Sequence, residues 1–85
     1  MAVELLYFAR IREAIGLGSE RVDLPSGVAT VSDVIDWLVS RGPAYAEAFA
    51  DRTRLRVAVD QQFAPLETAI AGAGEIALFP PVTGG

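Results

Sequence analysis

Glu75-Ile76-Ala77-Leu78-Phe79-Pro80-Pro81-Val82-Thr83-Gly84-Gly85 closes the sequence, and the chain upstream reads as the body that presents it. Ile76 and Leu78 recur at period two, the spacing of a strand with one face on a core. Phe79 falls on the opposite face, towards the tail. Pro80 and Pro81 have fixed φ and no N–H, so they cannot extend a strand ladder in the usual way. Gly84 and Gly85 lack a Cβ, which makes the tip slim and conformationally loose. The six residues from Pro80 reach about 20 Å when extended, far enough to thread a partner's pocket. The expectation is a folded domain over residues 1–79 and a flexible Gly-Gly tail over residues 80–85, with the Gly85 carboxylate as an unhindered acyl group. The competing reading is an idle, frayed terminus. The double proline directly after an apolar strand favours a functional tail.

Working outward, the 85-residue length fits one domain with a modest core. A hydrophobic content of 52% is too high for a disordered chain. No apolar run approaches a membrane span and no basic segment precedes an apolar one, so neither a membrane nor a secretory route is expected, and a cytoplasmic location is. Net charge is −4, and all 7 basic residues are arginine. An acidic domain suits a basic protein surface better than a nucleic acid backbone. Without lysine, an activated Gly85 carboxyl meets no side-chain amine on its own chain. The sequence has no cysteine and no histidine. That removes disulfides, thiol nucleophiles, the usual zinc ligand sets and a Ser-His triad. No metal site is expected, and acids, arginines, hydroxyls and the chain end are left to do chemistry.

The N-terminal half reads as a strand over residues 3–8, a short helix over 9–15 closed by Gly16 and Gly18, and a second strand over 20–24 that can pair antiparallel with the first. Residues 30–41 form the clearest helix. Thr30 is placed to cap it, with Asp33 completing a shortened capping box, and Val31, Val34, Ile35, Leu38 and Val39 make one apolar stripe. Asp33 and Asp36 read as dipole-compensating carboxylates rather than an acid–base pair. Gly42 and Pro43 stop the helix. A second short helix spans residues 44–50, with Tyr45 and Phe49 turned inward. Residues 55–59 alternate as a strand, with Arg52, Arg54 and Arg56 in a row on the other side. That row reads either as a solvated sheet face, the favoured reading, or as contact with an acidic partner or a phosphate. A hairpin is expected around Asp60, Gln61 and Gln62, with Pro65 marking the second arm as an edge or its end. Residues 68–71 read as one turn of helix at most. A hairpin, a crossing helix and further strands make an α+β roll, a mixed sheet with one main helix packed across it. The first and last strands can then lie side by side in its centre.

At this point the chain resembles the ubiquitin-like β-grasp proteins, and within them the small subunits of molybdopterin synthase. The similarity runs essentially the full length. It rests on Leu6-Tyr7-Phe8-Ala9-Arg10-Ile11-Arg12-Glu13, on Val57-Ala58-Val59-Asp60-Gln61 and on residues 77–85. Two turn positions depart from the family's pattern: Asp60 stands where asparagine is usual, and Gly74-Glu75 where Gly-Asp-Glu is usual. Altered turn chemistry is expected from both.

The resemblance implies that an adenylating, activating enzyme uses ATP to convert the Gly85 carboxylate to an acyl adenylate. A sulfur donor then gives a thiocarboxylate, so sulfur rides on Gly85 and no cofactor is bound by the chain itself. It implies a large subunit, in a heterotetramer, that carries the catalytic acid–base residues and receives the tail (Gly84, Thr83, Val82, Pro81 and Pro80) in a channel. The acceptor is then a cyclic pyranopterin monophosphate. Phe79, Phe63 and Phe8 are the candidate apolar docking residues, with Arg54 and Arg56 as charged ones. For Phe8 ordinary core packing is an equal alternative. Other readings are a sulfur carrier for thiamine thiazole synthesis, a ubiquitin-like protein modifier, and a binding module whose tail is idle.

Overall fold

The structure, a computed structural model, describes residues 1–81. Strand β1 (Ala2–Tyr7) is followed by helix α1 (Ala9–Ile15), β2 (Ser19–Asp23), α2 (Val31–Val39), α3 (Pro43–Ala48), a 3₁₀ turn (Arg52–Arg54), β3 (Arg56–Val59), β4 (Gln62–Ala64) and β5 (Glu75–Phe79). The five strands form one mixed sheet in the order β2-β1-β5-β3-β4. β1 pairs antiparallel with β2, as expected, and parallel with β5, which puts the first and last strands together in the centre. This is the α+β, ubiquitin-like β-grasp fold.

Alternation in the strands sorts the side chains between two faces. Val3, Leu5, Tyr7, Val57, Ile76 and Leu78 share the inner face by register and are buried. Val31, Val34, Ile35 and Leu38 of α2 are buried in the same core. The expected stripe is thus confirmed except at Val39, which ends the helix and is half-buried. The capping box forms as expected: Asp33 N–H donates to Thr30 Oγ1 at 3.2 Å, and Asp33 Oδ2 accepts from the N–H groups of Thr30 and Ala29 at 3.2 and 3.0 Å. Those backbone donors hold the Asp33 carboxyl below its usual range. Gly16 caps α1 at φ +89°, donating its N–H to Arg12 O at 2.8 Å.

Four expectations are corrected. The main helix ends at Val39 rather than Arg41, and the chain tightens there, with Arg41 N–H donating to Leu38 O at 2.9 Å. The second helix begins at Pro43, whose missing N–H suits a first turn. Residues 68–71 form no helix. They lie against the start of α2 through an isolated Thr30–Ala69 bridge, and Val31 and Ser32 donate to Thr68 O and Leu66 O at 3.0 and 2.8 Å. The arginine row is not one strand face, since Arg52 and Arg54 lie in the 3₁₀ turn and β3 starts only at Arg56. A 3₁₀ turn has period three, so the even spacing of the arginines does not align them.

The β3–β4 hairpin closes through Asp60 at φ +48° and Gln61 at φ +71°, both left-handed as a two-residue type I′ turn requires. Asp60 Oδ1 also accepts from the N–H groups of Gly74 and Glu75 at 2.9 and 3.0 Å. The two turn departures noted in the sequence therefore meet: the carboxylate of one satisfies the backbone of the other at the start of β5.

Candidate functional site

The site is built around the point where β5 runs out of the sheet. β5 is paired on both sides, by β1 and by β3, so Phe79 is carried on the most enclosed strand of the molecule. Its side chain lies on the sheet face that no helix covers. Phe8 and Phe63 flank it edge-on, with ring centroids at 6.4 and 5.8 Å and interplanar angles of 83° and 62°. The three candidate docking aromatics are thus brought together. Such edge-to-face pairs stabilise one another modestly beyond the area they bury.

Each ring is placed by a different element. Phe63 sits at the middle of β4, opposite Ala58, and is 80% exposed. Phe8 ends β1 instead of continuing it, and is 46% exposed, so core packing is excluded for it. Its N–H donates to Leu78 O at 3.3 Å, and its carbonyl accepts from the N–H groups of Ile11 and Arg12 at 3.1 and 3.3 Å. Ala9 adopts φ +51° to make that abrupt change from strand to helix. Left-handed backbone is strained for a residue with a Cβ, and strain of this kind collects at sites that present a side chain. Leu6, Ala58 and Ala77 continue the uncovered face by register.

The arginines divide. Arg56 lies opposite Phe79 in register, and its guanidinium is braced by Leu55 O at 3.0 Å and Thr53 O at 3.3 Å. Arg54 is exposed on the 3₁₀ turn, near Asp51, whose carboxyl is held down first by the Thr53 hydroxyl and then, more weakly, by Arg54. Arg52 is committed to Asp36 at 2.6 Å. Pro80 and Pro81 are half-buried as β5 leaves the sheet. The expectations placed on Val82, Thr83, Gly84 and Gly85 lie outside the described residues.

Sequence reasoning missed one polar cluster. Glu20 accepts hydrogen bonds from Tyr7 Oη and Tyr45 Oη, each at 2.7 Å, and from Arg41 Nη1 at 3.1 Å. The Arg41 guanidinium lies 5.0 Å from the Trp37 ring centroid and 5.2 Å from that of Tyr45. Burial alone would push the Glu20 carboxyl up, but hydrogen bonds from Tyr45, Tyr7 and Arg41 outweigh it and hold Glu20 below its usual range. Burial, then Glu20, pushes both tyrosines up. One cue was available: Glu20 shares strand parity with Val22, so it occupies a core-facing position. Both of its oxygens are engaged by these donors, so the cluster clasps β1, β2 and α3 rather than offering a base. Among the described residues no group of three or more acids is placed to hold a metal ion, and no helix is long and apolar enough to cross a membrane. The arrangement suits docking: an aromatic face, an arginine beside it and a strand leading out between them.

Known proteins place this architecture. Residues 5–85 match the ThiS family. The chain is 40% identical over 83 residues to a molybdopterin synthase sulfur carrier subunit of Haemophilus influenzae, covering 98% of this chain and 99% of that one. It is also 40% identical over 88 residues to small archaeal modifier protein 1 of Haloferax volcanii, covering 98% and 100%. The crystal structure of that modifier superposes with a TM-score of 0.73 at 35% identity over the whole of both chains.

Proposed function

The chain belongs to the ThiS family, and from its likeness to molybdopterin synthase sulfur carrier subunits we propose that it is a cytoplasmic sulfur carrier subunit of such a synthase. The observation that carries the reading is the near-complete alignment with the Haemophilus influenzae sulfur carrier subunit, which leaves little of either chain unmatched. The composition supports it: sulfur can be carried without any cysteine if it is held on the chain end.

The chemistry assigned to Gly85 proceeds in three exchanges. Its carboxylate oxygen attacks the α-phosphorus of ATP in an activating enzyme, forming the acyl adenylate and releasing pyrophosphate. A donor delivering sulfur at the sulfide level attacks the acyl carbon, AMP departs, and a thiocarboxylate remains. In the large subunit that sulfur attacks an electrophilic carbon of the cyclic pyranopterin, and a carbon–oxygen bond at that carbon breaks as its oxygen leaves. Water then cleaves the acyl–sulfur bond and returns the Gly85 carboxylate. Two such deliveries supply a dithiolene. The domain's own part is positioning. Phe79, Phe8 and Phe63 dock on the partner, Arg56 and Arg54 add charge at the border, and Pro80 and Pro81, which have no N–H, end the ladder of β5. Gly84 and Gly85 are narrow enough for a channel. The catalytic acid–base groups belong to the large subunit, in a heterotetramer.

The test is a reconstitution. The chain is prepared with a thiocarboxylate at Gly85, verified by intact mass, and mixed with a large subunit and the pyranopterin precursor. Molybdopterin formation, with Gly85 returned to a carboxylate, is the expected result. A verified thiocarboxylate that yields no product with a competent large subunit would overturn the pathway and direct attention to thiamine thiazole synthesis.

A second reading has its own support in the 40% identity to small archaeal modifier protein 1. There Gly85 would form an isopeptide with a lysine of a target protein. Covalent adducts carrying the tail, recovered by peptide mass spectrometry from cells, favour that role; a free thiocarboxylate favours the carrier.

A further inference from the structure

A groove of about 470 Å³ opens beside the free edge of β4, next to the 3₁₀ turn. Leu55, Val57, Pro65 and Leu66 give it an apolar lining, and Arg52 and Arg56 are its charged residues, with no carboxylate among the described residues that line it. On a chain of net charge −4 this is a local reversal of sign.

The backbone of the edge adds direction. Asp60 N–H bonds Glu75 O at 2.9 Å, which fixes the alternation of β3: Val57 and Val59 turn their polar groups to β4 and Ala58 turns its own to β5. Phe63, opposite Ala58, therefore directs its N–H and C=O away from the sheet. Pro65, the next outward position, has no N–H, and its carbonyl accepts from Thr68 N–H at 3.1 Å. The edge thus offers one residue's pair of hydrogen bonds. A short strand ended by proline resists open-ended pairing, while an exposed apolar residue on it still marks a place to be covered.

We propose that this groove binds an extended, acidic segment of a partner protein, by a one-residue backbone pairing at Phe63, an apolar side chain over Leu55 and Leu66, and a carboxylate at Arg56. Charge complementarity selects the occupant. Arg52 is largely neutralised by Asp36 at 2.6 Å, whereas Arg56 is braced by carbonyls and keeps its charge for a ligand. The acidic remainder of the surface repels the same segment elsewhere, which confines it to the groove. The apolar lining favours a peptide over a free anion. The groove lies at the sheet edge and is independent of what the tail carries.

The probe is a blocked peptide of alternating valine and threonine flanked by glutamates, titrated into isotopically labelled protein and read from backbone amide shifts. Shifts centred on Phe63, Ala64 and Leu55 are expected, together with slower hydrogen exchange at the Phe63 amide. R56E should weaken the peptide about tenfold, as should lysines in place of its glutamates. N-methylation of the peptide's central residue should weaken it about fivefold on unaltered protein, since one backbone donor is lost. The proposal is overturned by absence of binding, by equal binding of the lysine peptide, or by shifts confined to Phe8 and Phe79. Full displacement by inorganic phosphate would make the groove a small-anion site instead.

Discussion

At position 20 a carboxylate survives beside the core because three donors converge on it. Removing its charge leaves the two tyrosine hydroxyls and Arg41 with a weaker acceptor. Glu20→Gln should therefore lower stability at neutral pH by about 1–2 kcal/mol in urea denaturation. The sign of the pH dependence is set by the direction of each shift. Glu20 is held below its usual range, so its contribution is present above the glutamate range and is lost as pH falls through the depressed value. Tyr7 and Tyr45 are raised, so theirs is present below the tyrosine range and is lost as pH climbs through it. The wild-type urea midpoint should fall on acidification from about pH 5 to pH 3, and the fall should be shallower in Glu20→Gln. An identical acid limb in both proteins would contradict the clasp. Ala9 offers a second test at this scale. Its φ of +51° is tolerable for alanine and poor for a β-branched residue. Ala9→Val should lose about 1–2 kcal/mol and displace the Phe8 ring signals in NMR spectra. Unchanged stability and unchanged ring signals would mean that the turn relaxes freely.

Among the elements, α2 carries the clearest link from sequence to energy. Its stripe was legible because helical periodicity and a capping box are local signals, and both formed. Leu38 is fully buried, and Leu38→Ala should cost about 2–5 kcal/mol by chemical denaturation, with a much smaller loss showing that the core can collapse around the gap. Thr30→Ala should cost about 1 kcal/mol by the same measurement. The central pairing of β1 with β5 was likewise legible, because two apolar strands at the chain's extremes need covering on both sides. What was not legible depends on distance along the chain. Tyr45 meets Glu20 across 25 positions and Arg52 meets Asp36 across 16, and no local pattern announces either pair. The arginine row misled for a related reason: even spacing implies one face only if the backbone stays extended, and Arg52–Arg54 curl into a 3₁₀ turn. The aromatic site was partly legible. The three rings named from the sequence do lie together, but the strand expected through Phe8 hid the turn at Ala9 that presents it.

At the scale of the molecule, the body and the tail should be separable by mutation. Gly84→Val adds bulk where a channel must be threaded, so sulfur transfer in the reconstitution should stop while the thermal midpoint stays within about a degree or two of wild type. Normal turnover would refute the threading. Phe63→Ala should behave similarly for docking, with little change in stability because the ring is 80% exposed, and weaker association with the large subunit. The net charge of −4 predicts that association with a basic partner slows as salt rises, measurable by stopped flow.

The position of β5 between β1 and β3 bears on when the protein becomes competent during its own synthesis. Residues up to Phe79 must leave the ribosome before the sheet can close, because β2-β1 and β3-β4 are joined only through β5. A chain cut short between Ala64 and Glu75 keeps two half-sheets, β2-β1 and β3-β4, with no bridge between them. The strand that bridges the two halves is also the one that carries Phe79, so closing the sheet and forming the aromatic face are one event.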